Sequence, residues 1–166
     1  MLSSKFTEFE LLVIDCDGVL TDNRVWVTEE GVEAVAFSRA DGLAFDALKK
    51  LNLCTMILST ETNKVVSARG KKLGVSVYQS VKSKKKFIEE FVAARDISLK
   101  RAIYVGNDIN DVGAMALCGL SFCPGDAHPT IKNLATVNLS TNGGQGVIRE
   151  ILEDHFNIDI YQLLYK

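Results

Sequence analysis

Two aspartates lie one residue apart directly after an apolar run, in the stretch VIDCDGVLTD (residues 13–22). A carboxylate is costly to bury without a partner, and the neighbouring charges of Asp15 and Asp17 repel each other unless a cation offsets them. Among hard cations, Mg²⁺ is commonly bound by one or two carboxylates together with water. The pair therefore predicts a magnesium site at the end of a buried strand.

Polar side chains that suit phosphate chemistry follow three further apolar runs. Ser83 has the pattern of a helix N-cap, which places Lys84 in a first helical turn, where the helix N-terminus also attracts phosphate. At such a site one carboxylate can act as the nucleophile and form an aspartyl-phosphate, while a second acts as general acid and base. The residues that follow these runs are Ser59, Thr60, Glu61, Ser83, Lys84, Asn107, Asp108 and Asp111.

These residues need a framework that brings strand ends together, and the apolar pattern predicts one. Strand-like runs (ELLVID, LCTMILS, VSVYQS, AIYVGND, GLSFC and the weaker ATVNLS) alternate with helical stripes near residues 43–51, 65–73, 87–92 and 109–116. Such alternation predicts an α/β fold: a Rossmann-like, three-layer open parallel sheet with helices on both faces. Ligands bind such sheets at the carboxyl ends of the strands, so the polar residues should converge there.

One segment departs from the alternation where a crossover helix is due. Residues 24–37, RVWVTEEGVEAVAF, contain two alternating apolar runs around a turn and predict a β-hairpin insertion. Its apolar residues Val25, Trp26 and Val27 need a covering surface, which a neighbouring subunit would supply. We expect residues 1–166 to form a single domain.

Composition excludes several other classes of protein. The 166 residues are 47% hydrophobic and carry a net charge of -2, which gives no footprint for nucleic acid or an anionic membrane surface. No apolar stretch reaches the ~20 residues of a membrane-spanning helix, and the N-terminus lacks the core of a signal peptide. The four cysteines show no zinc-type spacing, so we expect free thiols and a cytoplasmic location.

The sequence excludes three other classes of phosphate- or metal-binding protein. An EF-hand beginning at Asp15 would need glycine and glutamate where Leu20 and Trp26 stand. A receiver domain carries its phosphorylated aspartate after a middle strand, and no lone aspartate ends LCTMILS or VSVYQS. The glycine-lysine signature of a P-loop is absent.

The set DCDGVLTD, ILST, Lys84 and GNDIND, in this order, resembles the haloacid dehalogenase superfamily of phosphatases. The resemblance implies that Asp15 is the nucleophile and Asp17 the general acid and base. It implies a phosphate-binding set of Ser59, Thr60 and Lys84. It also implies that Mg²⁺ is held by Asp15, Asp17 through its backbone carbonyl, and Asn107, with Asp108 available to compensate.

Three further features are similar to the capless 3-deoxy-octulosonate 8-phosphate phosphatases: the hairpin in place of a cap domain, the segment DAHP (126–129) and the segment GGQGVIRE (143–150). That family forms tetramers through its hairpins, and its subunits help to close each other's sites. We therefore expect a homotetramer. The segment ADG (40–42) matches the part of the family's RDG loop that contacts substrate, which implies that Asp41 and Gly42 do so here.

Two departures from the family's pattern affect the expected function. Glu61 together with Lys72 looks more like relatives that act on nine-carbon, sialic-acid-type 9-phosphates, while Arg69 is shared with both branches. Asn107 stands where the family has a metal-binding aspartate, which lowers the expected affinity for Mg²⁺. We expect a phosphatase acting on an eight- or nine-carbon ulosonate phosphate. The alternative is a non-catalytic assembly domain associated with sialic-acid activation.

Overall fold

The central element is a six-stranded sheet in which every neighbouring pair is parallel, as the sequence predicts. A computed structural model describes residues 6–166. The strands are β1 (Leu11–Ile14), β2 (Trp26–Val27), β3 (Glu33–Ala34), β4 (Cys54–Leu58), β5 (Ser76–Tyr78), β6 (Ala102–Val105), β7 (Leu120–Cys123) and β8 (Val137–Asn138). The order in the sheet is β5-β4-β1-β6-β7-β8, so the strand that precedes Asp15 lies in the interior.

Helices follow the strands and cover both faces of the sheet. They are α1 (Ala40–Lys50), α2 (Lys64–Leu73), α3 (Lys84–Ala93), α4 (Val112–Met115), α5 (Pro129–Leu134), α6 (Val147–Glu150) and α7 (Ile160–Tyr165). A 3-10 turn over Ile109–Asp111 leads into α4, and a π-helical turn over Ile151–His155 continues α6. In the described part of the chain no helix is long and apolar enough to cross a membrane.

The strict alternation of side chains along β1 divides the core into two layers. Leu12 and Ile14 point into a cluster formed with α1, α2, α6 and α7. Leu11 and Val13 point into a second cluster formed with α3, α4 and α5. All four side chains are at most 1% exposed, which explains why β1 is a continuous apolar run rather than an alternating one.

The predicted hairpin is present as the antiparallel pair β2–β3, in which Trp26 lies opposite Ala34 and Val27 opposite Glu33. Its apolar side chains are open to solvent: Trp26 is 75% exposed, and Val25, Val27 and Val32 are each more than half exposed. The side chains of Asn63 and Glu33 are hydrogen-bonded to each other, which joins the hairpin to the N-cap of α2.

The glycine-rich loop before α6 packs directly on the turn that follows β1. The Gly144 amide donates to the Val19 carbonyl at 3.0 Å. A Cβ at Gly143 would lie 2.3 Å from the Gly18 carbonyl oxygen, so only glycine permits this approach. Glu150 holds the loop by accepting the backbone amides of Ser140 and Thr141. The loop therefore braces the turn that carries Asp17.

Candidate active site

Asp15 lies at the carboxyl end of β1 and is held by both backbone and side-chain bonds. Its amide donates to the Val105 carbonyl of β6 at 2.9 Å, and its Oδ1 accepts the Cys16 amide at 2.8 Å. Burial raises the pKa of Asp15 to about 7, and the charge of Asp111 adds to the rise, while Lys84 opposes it. The site therefore favours cations that offset the charge of Asp15.

Lys84 supplies one such cation, from the first turn of α3. Ser83 caps this helix by accepting the Lys86 amide at 3.3 Å, as the sequence predicts. The Lys84 ammonium is buried between two carboxylates, 2.7 Å from Asp15 Oδ1 and 2.7 Å from Asp111 Oδ1. Burial acts to lower the pKa of Lys84, but the two carboxylates hold it above its ordinary value, so the ammonium stays charged.

Asp17 is less tightly held than Asp15 and partly exposed. Its Oδ1 accepts a hydrogen bond from the buried Thr21 hydroxyl at 3.2 Å. The same hydroxyl oxygen accepts the amides of Gly18 and Asn23 at 3.2 and 3.3 Å, so Thr21 fixes the whole turn. Burial raises the pKa of Asp17 against the opposing effects of Thr21 and Lys84, which suits a group that must carry a proton.

Asn107 shows the signature expected of a metal ligand. Its Oδ1 is buried and has no hydrogen-bond partner, and buried polar atoms are rarely left unpaired in native structures. Its side chain packs on Gly18, where a Cβ would lie 1.9 Å from the Asn107 amide nitrogen. Within residues 6–166 no three Asp, Glu, His or Cys side chains form a metal-binding group. The Asp15 carboxylate, the Asp17 backbone carbonyl and the Asn107 amide oxygen still fit Mg²⁺, which retains several waters.

Ser59 and its neighbours follow β4 at the same edge of the sheet. The buried Ser59 hydroxyl oxygen accepts the Glu61 amide at 3.1 Å, which leaves its proton available to a ligand. The Ser59 amide donates to the Tyr78 carbonyl at 2.8 Å, and the Ser80 amide donates to the Glu61 carbonyl at 2.9 Å. Backbone hydrogen bonds therefore join the loops after β4 and β5.

Asp15, Asp17, Ser59 and Asn107 line one cavity, which we call the central cleft, whereas Lys84 is not among its lining residues. Its volume is about 190 Å³. A second cavity, the outer groove, runs between the hairpin and the start of α2 and shares Asp17, Asn23 and Glu61 with the central cleft. The central cleft is lined by Asp15, Asp17, Asn23, Ser59, Thr60, Glu61, Asn107, Asp108, Ile109 and Asn110.

The structure does not bring the remaining predicted substrate residues into the central cleft. Gly42, Arg69 and Lys72 line a separate cationic depression between α1 and α2. Asp41 is 1% exposed, and its Oδ1 accepts the amides of Ile148 and Arg149 at the start of α6. The predicted role of these four residues in substrate binding stays a prediction.

Three residues of the site were not singled out for a role from the sequence. Asp111 pairs with Lys84, Tyr104 donates to Asp111 at 2.6 Å, and Asn23 lines both cavities. Asp111 had a usable signal, because an acidic residue three positions after Asp108 forms a capping box. Tyr104 gave none, because it lies within an apolar strand.

Comparison with known proteins decides the family. The sequence profile of the haloacid dehalogenase-like hydrolases matches residues 43–151. The 3-deoxy-D-manno-octulosonate 8-phosphate phosphatase of Yersinia pestis is 30% identical over 86% of this chain and 77% of its own length. The chain is a haloacid dehalogenase-like hydrolase of the octulosonate 8-phosphate phosphatase family. The predictions of the family and of a phosphatase are confirmed.

Solved structures of the family agree with the fold. A protein from Streptomyces avermitilis, provisionally assigned as a haloacid dehalogenase family hydrolase, matches with a TM-score of 0.86 at 37% identity, covering 89% of this chain and 84% of that one. The 3-deoxy-D-manno-octulosonate (KDO) 8-phosphate phosphatase of Moraxella catarrhalis, in complex with magnesium, phosphate and KDO, matches with a TM-score of 0.86 at 26% identity. The match covers 96% of this chain and 89% of that one. The predicted three-layer fold with a hairpin is therefore confirmed.

Proposed function

We propose that this phosphatase uses Mg²⁺ to hydrolyse the phosphate monoester of a 3-deoxy-2-keto sugar acid through an aspartyl-phosphate at Asp15. The observation that carries the proposal is the buried Lys84 ammonium, 2.7 Å from Asp15, which itself lines the central cleft together with Asp17 and Ser59. The Moraxella catarrhalis enzyme, crystallised with magnesium, phosphate and KDO, supports the same ligand chemistry here.

The proposed reaction has two displacement steps. An Asp15 carboxylate oxygen bonds to phosphorus while the bond from phosphorus to the sugar oxygen breaks, and Asp17 donates its proton to that leaving oxygen. Water then attacks phosphorus, Asp17 accepts a proton from the water, and the bond to Asp15 breaks to release phosphate. Lys84 and the hydroxyls of Ser59 and Thr60 hold the phosphoryl oxygens in both steps.

Asp15, Asp17 and Asn107 are the residues that would hold Mg²⁺, with Asp108 beside them. When bound, the ion supplies positive charge to the phosphoryl oxygens and offsets the two carboxylates. The unpaired Asn107 Oδ1 supports this assignment. Because an amide oxygen has no formal charge, we expect weaker Mg²⁺ binding than an aspartate at this position would give.

Loss of the nucleophile tests the proposal. We expect Asp15→Asn to abolish Mg²⁺-dependent release of phosphate from p-nitrophenyl phosphate and from KDO 8-phosphate, because the neutral amide cannot form the acyl-phosphate. Asp22→Asn, at an exposed aspartate outside the cleft, is the matched control and should keep full activity. The proposal is wrong if the wild type releases no phosphate from either compound, or if Asp15→Asn remains active.

Glu61 is the residue that we propose selects between eight- and nine-carbon substrates. It lies where the central cleft meets the outer groove, beyond the phosphate-binding residues. A carboxylate there accepts hydrogen bonds from sugar hydroxyls, whereas an arginine would bind a substrate carboxylate with two parallel bonds. The position supports a role in substrate choice rather than in phosphoryl transfer.

Exchange of Glu61 for arginine should therefore alter specificity. We expect Glu61→Arg to change the ratio of kcat/KM for KDO 8-phosphate and a sialic-acid-type 9-phosphate by about tenfold or more. Activity on p-nitrophenyl phosphate, which has no sugar, should remain within about threefold of wild type. An unchanged ratio would show that Glu61 does not select the substrate.

We further propose a cytoplasmic homotetramer that assembles through the hairpin. The exposed apolar side chains of β2 support such an interface, and the four free thiols suit a reducing compartment. The central cleft and the cationic depression have no lining residue in common. Arg69 and Lys72 would therefore reach a substrate from a neighbouring subunit, where their charges would bind its carboxylate.

The second candidate is a phosphatase-like assembly domain without turnover. The observation that favours it is Asn107, whose unpaired side-chain oxygen belongs to a neutral amide and so offers a metal ion no formal charge. This candidate predicts that the wild-type protein forms the oligomer but is as inactive as Asp15→Asn on both sugar-acid phosphates.

A further inference from the structure

A buried tyrosine adjoins the proposed reaction centre but has no part in the two steps described above. Tyr104 lies in β6, is 0% exposed, and its hydroxyl donates to Asp111 Oδ1 at 2.6 Å. Burial raises the pKa of Tyr104 well above its ordinary value, and the charge of Asp111 adds to this. The phenol therefore keeps its proton at neutral pH and acts as a hydrogen-bond donor.

The acceptor of this bond, Asp111, is itself completely enclosed by donors. Its Oδ1 accepts both the Tyr104 hydroxyl at 2.6 Å and the Lys84 ammonium at 2.7 Å. Its Oδ2 accepts the amides of Asn107 and Asp108 at 2.9 and 3.3 Å. The side chain is 0% exposed, so no solvent competes for either oxygen.

Tyr104 and Lys84 therefore share one oxygen atom, and Lys84 is in turn shared between Asp111 and Asp15. A donor at Asp111 Oδ1 spreads part of that oxygen's negative charge into the phenol. This weakens the attraction of Asp111 for the ammonium, which leaves more of the ammonium's charge for Asp15. If the phenol hydroxyl were removed, Lys84 would be the one side-chain donor left to Oδ1 among residues 6–166 and would move toward Asp111.

We propose that Tyr104 is a positioning residue, which acts through Asp111 to hold the Lys84 ammonium against Asp15. Its effect on rate rests on the proposed phosphatase reaction, whereas its effect on the position of Lys84 does not. A phenol that merely satisfies its own buried hydroxyl would affect stability but not the division of Lys84 between the two carboxylates.

Steady-state kinetics of Tyr104→Phe test the effect on rate. We expect kcat on p-nitrophenyl phosphate to fall at least about tenfold while KM stays within about twofold, because Lys84 stabilises the charge that develops in the transition state. Tyr78→Phe is the matched control: it also removes a strand hydroxyl, and Tyr78 makes ring contacts but no hydrogen bond through its hydroxyl in the described structure. A folded Tyr104→Phe with wild-type kcat would overturn the proposal.

A double-mutant cycle tests the route through Asp111. In an Asp111→Asn background, Tyr104→Phe should have less than about a twofold further effect on kcat, because the acceptor charge is already removed. A second tenfold fall in that background would overturn the proposal, because Tyr104 would then act by another path.

The ¹⁵N resonance of the Lys84 ammonium separates this inference from the proposed function, since it requires no turnover. Buried between two carboxylates, the ammonium should give a slowly exchanging signal, identified by its absence in Lys84→Met. We expect Tyr104→Phe to shift this signal and Tyr78→Phe to leave it in place. If Tyr104→Phe does not fold, wild-type protein containing 3-fluorotyrosine replaces it. An unshifted signal overturns the inference even if the enzyme is active, and a shifted one supports it even if no phosphatase activity is found.

Discussion

At the scale of single residues, the two aspartates after β1 differ in how firmly they are fixed. Asp15 is held by the Cys16 amide and the Lys84 ammonium, whereas Asp17 has one side-chain bond, from Thr21. A nucleophile benefits from a fixed position, because effective concentration depends on alignment. A proton donor needs a raised pKa, which burial gives Asp17. The difference in environment supports the different roles proposed for them.

Thr21 offers a direct test of how Asp17 is positioned. We expect Thr21→Val to lower kcat by about tenfold, because Asp17 loses its side-chain donor, and to lower the free energy of unfolding by about 1–3 kcal/mol, because two amides lose their acceptor. Stopped-assay kinetics and urea unfolding measure the two effects. Thr55→Val, at the start of β4 and away from the cleft, is the control and should keep wild-type kcat. Unchanged kcat in Thr21→Val would show that Asp17 is positioned by other means.

The sequence predicts the residues whose type is unusual for their surroundings and misses those that look ordinary. Asp15, Asp17 and Lys84 are detectable because charged residues at strand and helix ends in an apolar context demand an explanation. The role of Tyr104 is not detectable, because a tyrosine within AIYV is predicted to be a core residue whether or not its hydroxyl makes a hydrogen bond. That partner is set by packing between β6 and the turn at Asp111, which no local pattern encodes.

At the scale of elements, the strands and most helices were predictable, and two short helices were not. The six sheet strands, the hairpin and α1 to α3 follow from apolar spacing, and all are present. The six-residue helices α5 and α7 were missed, because fewer than two turns provide too little periodicity. Their N-termini are marked by the caps His128 and Asp159, and that of α5 also by Pro129.

Asp41 ties α1 to α6, and this link should make stability depend on pH. Burial raises the pKa of Asp41 to about 6, against the hydrogen bonds from Arg149 and Ile148. The folded protein therefore keeps this proton to higher pH than the unfolded chain does. The stability that Asp41 contributes below pH 4 is lost as the pH rises from about 4 to about 6.

Substitution by asparagine should remove this dependence. The free energy of unfolding of Asp41→Asn, relative to that of the wild type, should rise by about 2 kcal/mol between pH 4 and pH 7. Urea unfolding across this range measures it, with Asp46→Asn, at an exposed position of the same helix, as the control. A difference that stays constant with pH would mean that Asp41 titrates normally in the folded protein.

At the scale of the whole molecule, the hairpin is the surface that exposes neighbouring large apolar side chains. An exposed tryptophan flanked by valines on a two-stranded ribbon is unusual for an isolated chain and typical of an interface anchor. The resemblance to tetrameric relatives led to the same expectation from sequence. What sequence could not supply is the separation of Arg69 and Lys72 from the central cleft, because that depends on how α1 packs beside α2.

Removal of the anchor tests the assembly. We expect Trp26→Ser to lower the mass found by sedimentation from that of a tetramer to that of a dimer or monomer. The rate on sugar-acid phosphates should then fall by more than the rate on p-nitrophenyl phosphate, because Arg69 and Lys72 of neighbouring subunits would be lost. Tyr165→Ser, at another exposed aromatic position, on α7, should leave the mass unchanged. A wild type that sediments as a monomer would contradict the expectation.

Close glycine contacts limit how this part of the enzyme can change in evolution. Gly18 contacts the Asn107 side chain, and Gly143 contacts the backbone at Gly18. On this flank three loops interlock with no room for even one added methyl group, so none of them can drift without the others. On the opposite flank, a Cβ added at Gly31 of the hairpin would meet no atom within 4 Å. New substrate preferences should therefore arise from substitutions on the hairpin flank, while the interlocked loops beside Asp17 and Asn107 stay unchanged.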